Sequence, residues 1–395
     1  MIGPHLLDGG LAVLILLTAG PIVLLFLAEI LAATRAPKQA PVAGEAPPFA
    51  VLIPAHDESL VLARTLHAVM PQLRPCDRVL VVADNCTDDT AEIAEALGAT
   101  VTRRADLERR GKGFALQHGV EALTPGFDVI VIVDADCVPE SGALSALAAR
   151  AHHSGVPTQG DYQMALQPDS SARTRMSLFA FRVKNLVRPL GSARLGLPCL
   201  LAGSGMAFPA AQLASARLGT AEIVEDLVLT IEFALDGIMP RFCPEARIHS
   251  FLPEAARAQA VQRKRWEQGH LSVIRRFCPR LIGAGVRKGS AALVLMGLDV
   301  AVPPLSLLVA ALSVLVAATA VLAALTGECL ALGAAVVVLT LLLLAIGIAW
   351  RAFGRDLLSG REFLAFPAMI LCKIPMYLSI FFGEKSGWVK TRRDG

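Results

Sequence analysis

Three common functional signatures are missing from this sequence of 395 residues. Its eight cysteines are scattered and include no CxxC pair, which argues against a zinc site or a disulfide framework and favours reduced thiols. Neither a P-loop nor a GxGxxG motif occurs, so the sequence supports neither an ATPase nor a dinucleotide-binding site. The formal net charge is only +3, which implies no general affinity for nucleic acid.

Hydrophobic residues make up 54% of the chain and charged residues 18%, and the two kinds are segregated along it. Apolar runs at residues 10–33, 291–326 and 329–350 each contain the roughly 20 residues that a helix needs to cross a bilayer. We predict a transmembrane helix in each run, with an interface segment at the start of the second that ends near Pro303 and Pro304. The first run is too long for a signal peptide and no basic residue precedes it.

A further apolar segment, residues 362–383, contains Lys373 and Pro375 in the middle of the run. A charged residue and a proline at that depth are unfavourable in a simple span. The segment is therefore either an interfacial helix, a re-entrant helix or a fourth transmembrane helix.

The distribution of basic residues predicts the orientation in the membrane. Residues 1–9 contain no Lys or Arg, whereas basic residues follow the first predicted span, precede the second and follow the third. Such residues favour the cytoplasmic side of a membrane. We therefore expect residues 1–9 outside, with a linker at 34–47, a domain at 48–290 and a basic tail at 384–395 in the cytoplasm.

The middle of the chain alternates strand patterns with helical patterns. FAVLIPAHDE, DRVLVVADNCTDDT and FDVIVIVDADCVPE each contain an apolar strand followed by polar residues. This alternation is typical of an α/β fold with a mostly parallel sheet. Ligands bind such sheets at the carboxyl ends of the strands. The polar residues at 56–58, 84–85 and 134–136 therefore predict a binding site at one edge of the sheet.

Several residues in this region each allow two interpretations. Asp134 and Asp136 form a D-x-D pair, which suits a hard divalent ion, although Asp is also a common turn residue. Lys112, between the glycines of RRGKG, is either a phosphate ligand or a solvated turn residue. Asp226, in a Glu-Asp pair that opens a helical pattern, is either a helix-capping residue or a general base.

Three longer segments are equally open. Gly-Ser-Gly at 203–205 interrupts an apolar run and forms either a turn or a wall beside a bound sugar. Residues 170–198 alternate basic and apolar side chains, which predicts either an amphipathic helix on the inner leaflet or a helix that faces the protein core. QRKRW at 262–266 is either a basic anchor at the membrane surface or part of an active site.

Taken in order, PAHDE, ADNCTDD, RRGKG, DAD, GSG, ED and QRKRW resemble a known pattern. It is that of the inverting family 2 glycosyltransferases with the GT-A fold, in the membrane-integrated branch that includes cellulose, chitin and hyaluronan synthases. The segments ADNCTDDT and RRGKGFAL are most similar to the corresponding segments of bacterial exopolysaccharide-biosynthesis transferases. The resemblance covers about residues 48–270, and it implies a GT-A domain with transmembrane helices on both sides.

The resemblance also implies roles for individual residues. Asp226 would be the catalytic base, and Asp136 would coordinate Mg²⁺ or Mn²⁺. The acceptor would contact Gly203, Ser204 and Trp266. The nucleotide-sugar donor would be held by a larger set, namely Pro54, Ala55, Glu58, Asp84, Lys112, Asp134, Gln262 and Arg265.

The implied protein is a membrane-bound hexosyltransferase of the bacterial inner membrane. It would transfer a sugar from a nucleotide-diphosphate sugar, for which we expect a UDP-sugar, to a lipid-linked or growing saccharide acceptor. The process would be exopolysaccharide or other cell-surface polysaccharide synthesis. Its partners would be the donor, the acceptor and membrane lipids, with no nucleic acid. Two alternatives remain, a processive synthase of the cellulose or hyaluronan type and a catalytically inactive membrane scaffold of an export complex.

Overall fold

The computed structural model describes residues 3–35, 44–123, 126–220, 222, 224–252, 256–365 and 377. Its strands are β1 (Phe49–Ala55), β2 (Arg78–Asp84), β3 (Thr100–Arg104), β4 (Val129–Ile132), β5 (Val138–Pro139), β6 (Thr158–Met164), β7 (Met206–Pro209) and β8 (Arg241–Ser250). Its helices are α1 (Pro4–Arg35), α2 (Leu62–Val69), α3 (Thr90–Ala96), α4 (Lys112–Leu123), α5 (Ala143–Ser154), α6 (Ala172–Arg182), α7 (Arg188–Arg194), α8 (Ala210–Ser215), α9 (Glu225–Leu235), α10 (Ala256–Lys288), α11 (Ala291–Val300), α12 (Leu305–Thr326), α13 (Leu330–Phe353) and α14 (Gly360–Leu364).

The chain divides into two compact units. The sheet unit contains the described residues of Pro37–Leu166 and Pro198–Val273. The helical unit contains those of Met1–Ala36, Gln167–Leu197 and Ile274–Lys385. All eight strands belong to the sheet unit.

The sheet has the strand order β3-β2-β1-β4-β7-β6-β8-β5. Strands β1 to β4 are parallel to one another, and β6 is parallel to β8. Strand β7 is antiparallel to β4 and β6, and β5 is antiparallel to β8. The predicted α/β fold with a mostly parallel sheet is therefore confirmed. Three of the four parallel strands at one end, β1, β2 and β4, are the apolar runs identified in the sequence.

The core of the sheet unit lies where α4, α8 and α9 cover one face of the sheet. Leu52, Val82 and Ile130 of the central strands pack there against Leu116 and Phe233 of the helices. Strands buried on both faces need apolar side chains in both directions, which explains their uninterrupted apolar runs. This packing fixes the start of α4 and of α9 relative to the strand ends.

Three helices of the described residues, α1, α12 and α13, are long and apolar enough to cross a membrane. The predicted span at 10–33 lies within α1, and that at 329–350 coincides closely with α13. The second run divides into α11 and α12, and both prolines lie in the break between them. Most of the segment 362–383, much of the linker and the basic tail lie outside the described residues.

Asp8 determines the relative direction of α1 and α13. Its carboxylate accepts hydrogen bonds from the backbone N–H groups of Leu330 at 2.8 Å and Ala331 at 3.1 Å, at the start of α13. Those N–H groups have no partner within their own helix. Because Asp8 lies in the second turn of α1, the two helices begin at the same end and pack along each other. Arg35 and Arg351 therefore lie toward the other end.

Residues 172–194 form α6, a π-helical turn at Val183–Val187, and α7. Apolar side chains of this segment are buried in the helical unit, and four of its arginines bind polar partners within that unit rather than pointing away from it. The segment thus packs on the helical unit, and the predicted interface with the inner leaflet stays a prediction. The pairs are Arg175 with Glu362, Arg182 with Asp356 and the Phe353 carbonyl, Arg188 with Glu29 and Asp299, and Arg194 with the Ala33 carbonyl.

Arg188 lies at the centre of a buried polar cluster that joins three helices. Its Nε donates to Glu29 Oε2 at 2.9 Å, and its Nη2 donates to the carbonyl oxygen of Asp299 at 3.0 Å and to the Asp299 carboxylate. Ser192 Oγ donates to Glu29 Oε1 at 2.8 Å. A Cβ on Gly191 would lie 2.0 Å from the Glu29 carbonyl oxygen, so α7 and α1 touch backbone to backbone. The cluster holds α1, α7 and α11 together.

Replacing Arg188 by Met should destabilise the helical unit, because the carboxylates of Glu29 and Asp299 would stay buried without their cation. Removing one partner of a buried ion pair typically costs about 3–5 kcal/mol. Thermal unfolding of the purified protein in detergent measures the effect. Arg173→Met is the matched control, since Arg173 is exposed on the same segment. Equal melting temperatures for the two variants would contradict the role of the cluster.

Candidate active site

The predicted site residues at the strand ends lie side by side at one edge of the sheet. Pro54 and Ala55 end β1, and Asp84 ends the neighbouring strand β2. The ring Nδ1 of His56, in the loop after β1, lies 2.6 Å from the Asp84 carbonyl oxygen. Glu58, three residues after β1, donates its backbone N–H to Thr90 Oγ1 at 2.8 Å. The two strand ends therefore form one continuous surface.

Lys112 brings together acidic residues from two different parts of the chain. Its Nζ lies 2.6 Å from Asp134 Oδ1, after β4, and 3.4 Å from Glu225 Oε1, at the start of α9. It also donates to the carbonyl oxygen of Gly203 at 2.6 Å. Asp226 adds a further negative charge beside it. One ammonium group thus faces three carboxylates, which gives the cluster an excess of negative charge.

The proton affinities reflect this crowding. Burial raises the pKa of Glu225 to about 7, and the charge of Asp226 adds to that effect, while Lys112 opposes it. Burial also raises the pKa of Asp134, again opposed by Lys112. Burial alone would lower the pKa of Lys112, but the charges of Asp134 and Glu225 hold it above its ordinary value. Lys112 therefore stays protonated, and its charge favours the ionised forms of Asp134 and Glu225 against the effect of burial.

Two glycines let α4 approach closely enough to place Lys112, its first residue. A Cβ on Gly113 would lie 2.3 Å from the Leu218 carbonyl oxygen, and a Cβ on Gly119 would lie 2.3 Å from Leu52 Cδ1. Any side chain at these positions would push the helix away from the sheet or from residues 218–220. Gly113 and Gly119 are therefore needed for the position of the lysine.

The Gly-Ser-Gly segment forms a turn beside Asp226. Gly203 has a φ of +87°, in the left-handed region, and a Cβ there would lie 3.4 Å from Asp226 Oδ2. Ser204 corrects one prediction. It is fully buried, and its Oγ accepts the backbone N–H of Asp134 at 3.0 Å. Ser204 cannot touch an acceptor from that position, and instead it supports the loop that carries the D-x-D pair.

Two groups of ligand atoms among the described residues are close enough to hold a metal ion. Asp134, Asp136 and Cys137 form one, with their ligand atoms within 4.8 Å of one another, and Asp57, Cys86 and Asp88 form the other. Oxygens of the second group are hydrogen-bonded to backbone N–H groups, as turn residues are. Those bonds join Asp57 to Thr87, and Asp88 to Ser59 and Thr90.

The first group is the better match for a hard divalent cation. Asp136 Oδ2 accepts a hydrogen bond from Ser250 Oγ at 3.3 Å, which orients its carboxylate. Burial raises the pKa of the Cys137 thiol well above its ordinary value, so the ligand atoms are the carboxylate oxygens. Oxygen ligands suit Mg²⁺ and Mn²⁺.

Arg104 is a site residue that sequence reasoning missed. Its Nη1 donates to Asp84 Oδ1 at 2.6 Å. The only signal in the sequence is a second arginine in the pair that precedes RRGKG, and the pairing depends on the register of β3 with β2.

The QRKRW residues lie in the N-terminal part of α10. Gln262, Arg265 and Trp266 are half-buried, and their spacing of three and four residues places them on one face of the helix. Their predicted contacts with donor and acceptor stay predictions.

Residues 47–269 match the model of the family described as "Glycosyltransferase like family 2". The match takes in more than half of the chain and includes every predicted site residue. The chain belongs to this family. The prediction of a family 2 glycosyltransferase domain with a GT-A-like fold is thereby confirmed.

Individual relatives agree with the family. This family 2 chain is 29% identical over 260 residues to the probable glycosyltransferase YdaM of Bacillus subtilis strain 168, a match that covers 59% of this chain and 57% of that protein. The chain thus spans little more than half the length of that relative. It is also 39% identical over 90 residues to the 4,4'-diaponeurosporenoate glycosyltransferase of Staphylococcus aureus strain bovine RF122 / ET3-1, covering 22% of this chain and 23% of that one.

A solved structure shows the same fold. It is the mannosyltransferase PcManGT from Pyrobaculum calidifontis in complex with GDP-Man and Mn²⁺. The TM-score is 0.57 at 18% identity, over 96% of this chain and 100% of that chain.

Replacing Gly203 by Ala should strain the backbone and should also weaken the binding of nucleotide at this family 2 site. The Gly203 carbonyl oxygen accepts a hydrogen bond from Lys112 Nζ at 2.6 Å, so backbone strain at Gly203 would displace that lysine. The new methyl group itself would make ordinary contacts, 3.4 Å from Asp226 Oδ2 and 3.8 Å from Lys112 Nζ. Gly155→Ala is the control, because Gly155 also has a left-handed φ, +65°, with nothing within 4 Å of its Cβ position. Each variant should lose about 1–2 kcal/mol of unfolding free energy.

Only Gly203→Ala should also weaken nucleotide binding, by about tenfold, which corresponds to about 1.4 kcal/mol. Calorimetric titration of both variants with nucleoside diphosphates measures this. Equal affinities in the two variants would show that Gly203 matters for the backbone alone.

Proposed function

We propose that the protein is a membrane-bound, inverting glycosyltransferase that moves a sugar from a nucleoside-diphosphate sugar to a lipid-linked or growing saccharide acceptor. The observation that carries this proposal is the cluster of Lys112 with Asp134, Glu225 and Asp226 at the carboxyl edge of the sheet. Three carboxylates around one ammonium attract a divalent cation, and a cation beside a lysine attracts a diphosphate. A nucleoside-diphosphate sugar supplies that group.

The nucleoside would lie at the ends of β1 and β2, against Pro54, Ala55, Glu58 and Asp84. We expect uridine there. The diphosphate would lie toward Lys112, whose Nζ contacts oxygens of Asp134, Glu225 and Gly203. Phosphate oxygens would replace some of those partners. Gln262 and Arg265, which share a face of α10, would contact the donor from the other side.

Asp136, with Asp134 beside it, would hold Mg²⁺ or Mn²⁺, which supplies positive charge at the diphosphate while the leaving group departs. The short distances between their ligand atoms and the oxygen chemistry of the set support this assignment. The mannosyltransferase of similar fold is in complex with Mn²⁺, which agrees with it.

The reaction is a single displacement. Asp226 removes the proton from an acceptor hydroxyl as its oxygen forms a bond to the anomeric carbon. The bond from that carbon to the phosphate oxygen breaks, and the electron pair leaves with the nucleoside diphosphate. Lys112 and Arg265 offset the charge that grows on the phosphates. Since the acceptor attacks opposite the leaving group and no protein nucleophile takes part, the anomeric configuration inverts.

The acceptor would enter beside Gly203, where the turn leaves room next to Asp226. An indole ring packs well on the apolar face of a sugar, so Trp266 would support the acceptor. These assignments follow the family resemblance, and the geometry around Asp226 supports that of Gly203.

We assign the sheet unit to the cytoplasmic side of a bacterial inner membrane. The shared starting end of α1 and α13, fixed by Asp8, supports this orientation. Arg35, Arg351 and Arg355 all lie toward the opposite end of these helices, where the positive-inside rule places the cytoplasm. Residues 1–9 would then be external, and 48–290 and 384–395 cytoplasmic.

We favour single sugar addition, in exopolysaccharide or other cell-surface polysaccharide synthesis, over processive polymerisation. The three candidate spans among the described residues offer little protein to line a polymer channel. One relative is named for a single acceptor, 4,4'-diaponeurosporenoate, which agrees with this choice. An inactive scaffold is disfavoured, because it would keep a crowded carboxylate cluster that costs stability and serves no ligand.

The test is release of nucleoside diphosphate by purified protein in detergent, with Mg²⁺ or Mn²⁺ and a membrane lipid extract. The donors are UDP-glucose, UDP-galactose, UDP-N-acetylglucosamine, UDP-glucuronate and GDP-mannose. We expect turnover of one donor. Asp226→Asn should lower that rate by about 10²–10⁴-fold, the usual contribution of a general base, while donor affinity stays near that of the wild type.

Asp236→Asn is the control, since Asp236 is exposed at the other end of α9. It should leave the rate unchanged. Turnover at the wild-type rate in Asp226→Asn would refute the assignment of the base. Neither release nor binding of any donor by the wild type would refute the transferase and favour the scaffold.

A further inference from the structure

Arg104, the last residue of β3, connects two distant parts of the proposed donor site. The parallel register of β2 and β3 places it directly beside Asp84. Its Nη1 donates to Asp84 Oδ1 at 2.6 Å. Its Nη2 donates to Asp106 Oδ2 at 3.1 Å and to the Arg109 carbonyl oxygen at 2.7 Å. The Arg104 side chain is only 11% exposed and the Asp84 side chain 7%, so the contact between these two is shielded from water.

The same guanidinium reaches the start of the helix that carries Lys112. Its central carbon lies 5.6 Å from the centroid of the Phe114 ring, in the first turn of α4. Asp106, which Arg104 holds, accepts the backbone N–H of Arg109 at 2.9 Å. The loop between β3 and Lys112 is therefore folded around the Arg104 side chain.

Asn85 closes this network. Its Nδ2 donates to Asp84 Oδ1 at 3.0 Å, and its Oδ1 accepts the backbone N–H of Asp106 at 2.8 Å. Asn85 has a φ of +51°, a left-handed conformation that Asn tolerates better than most residues. Among the described residues, both hydrogen bonds to the Asp84 side chain end on Oδ1. The orientation of that carboxylate is thus set by Arg104 and Asn85.

We infer that Arg104 is a positioning residue that couples base recognition by Asp84 to the placement of Lys112 at the diphosphate. An ionised carboxylate held in this way accepts the ring N–H of uracil or guanine. It disfavours cytosine, whose ring nitrogen at that position is itself an acceptor. The loop bonds of the same side chain place Lys112 at the other end of the nucleotide. This inference rests on the proposed function, because it takes the ligand to be a nucleoside diphosphate.

If Arg104 only stabilised the fold, its replacement would have different consequences. Its loss would lower the melting temperature but leave the preference for one base, and the extra affinity gained from the second phosphate, as they were. If Arg104 couples the two parts of the site, its loss changes both the base preference and the affinity gained from the second phosphate. Arg104 contacts Asp84 at the base and the loop that positions Lys112 at the diphosphate. Affinity for a monophosphate and a diphosphate, and for two bases, separates the two cases.

The experiment is calorimetric titration of the full-length protein in detergent with UDP, GDP, CDP and UMP, in the presence of Mn²⁺. The variants are Arg104→Gln, which removes the charge, and Arg104→Lys, which keeps it without the planar fork. Arg103→Gln is the matched control. Its side chain is 53% exposed and pairs with Glu92 and Glu95 on the neighbouring helix α3.

We expect Arg104→Gln to weaken binding of the preferred diphosphate by roughly 10- to 100-fold, as loss of hydrogen bonds to charged groups does. The variant should also discriminate less between the preferred diphosphate and CDP. The loss of affinity should be smaller for UMP than for UDP. Arg104→Lys should recover part of the affinity, and Arg103→Gln should match the wild type. If Arg104→Gln does not fold, Arg104→Lys alone tests the inference, by the same loss of preference.

Wild-type affinity and base preference in the Arg104 variants, with only a lower melting temperature, would overturn the inference and leave the proposed function intact. A wild-type protein that binds none of the nucleotides would instead overturn the proposed function, and the inference with it.

Discussion

The contact between Lys112 and Asp134 is the interaction on which the candidate site depends. Without that ammonium group, Asp134, Glu225 and Asp226 would face one another with no cation from Lys112 between them, and burial would raise the pKa values of Asp134 and Glu225 further. The surrounding fold serves this contact. Gly113 and Gly119 let α4 approach close enough to present the lysine, and the buried Ser204 supports the backbone of Asp134. The excess negative charge of this cluster is balanced when a metal ion and its diphosphate ligand bind.

The helical unit also contains one cation that faces more than one carboxylate, but there the arrangement is structural. Arg188 faces the carboxylates of Glu29 and Asp299, again one cation for more than one acid. There the cation is 8% exposed and held by several hydrogen bonds, whereas Lys112 is 23% exposed at the edge of a sheet. The first arrangement joins helices permanently. The second leaves a lysine that can exchange protein oxygens for those of a ligand.

The sequence sufficed for features that depend on local pattern. The apolar strands, the polar residues at their ends, the D-x-D pair and the long apolar helices are all visible in short windows. Features that depend on distant contacts were missed. Strand β3 is short and polar, so the sequence shows Arg104 only as one of a pair of arginines, and the register of β3 with β2 is what places it beside Asp84. A Gly-Ser-Gly motif fits both a sugar contact and a buried turn, and only the structure shows that Ser204 is buried. The arginines of residues 172–194 pair with acids and carbonyls far along the chain.

The most direct test of the account is the location of a bound ion and nucleotide. A crystal of the protein grown with Mn²⁺ and UDP, measured at the manganese absorption edge, gives the ion position from its anomalous scattering. The account predicts the ion bonded to a carboxylate oxygen of Asp136, with the diphosphate beside Lys112. Manganese at Asp57 and Asp88 instead, or a nucleotide away from the carboxyl edge of β1, β2 and β4, would contradict it.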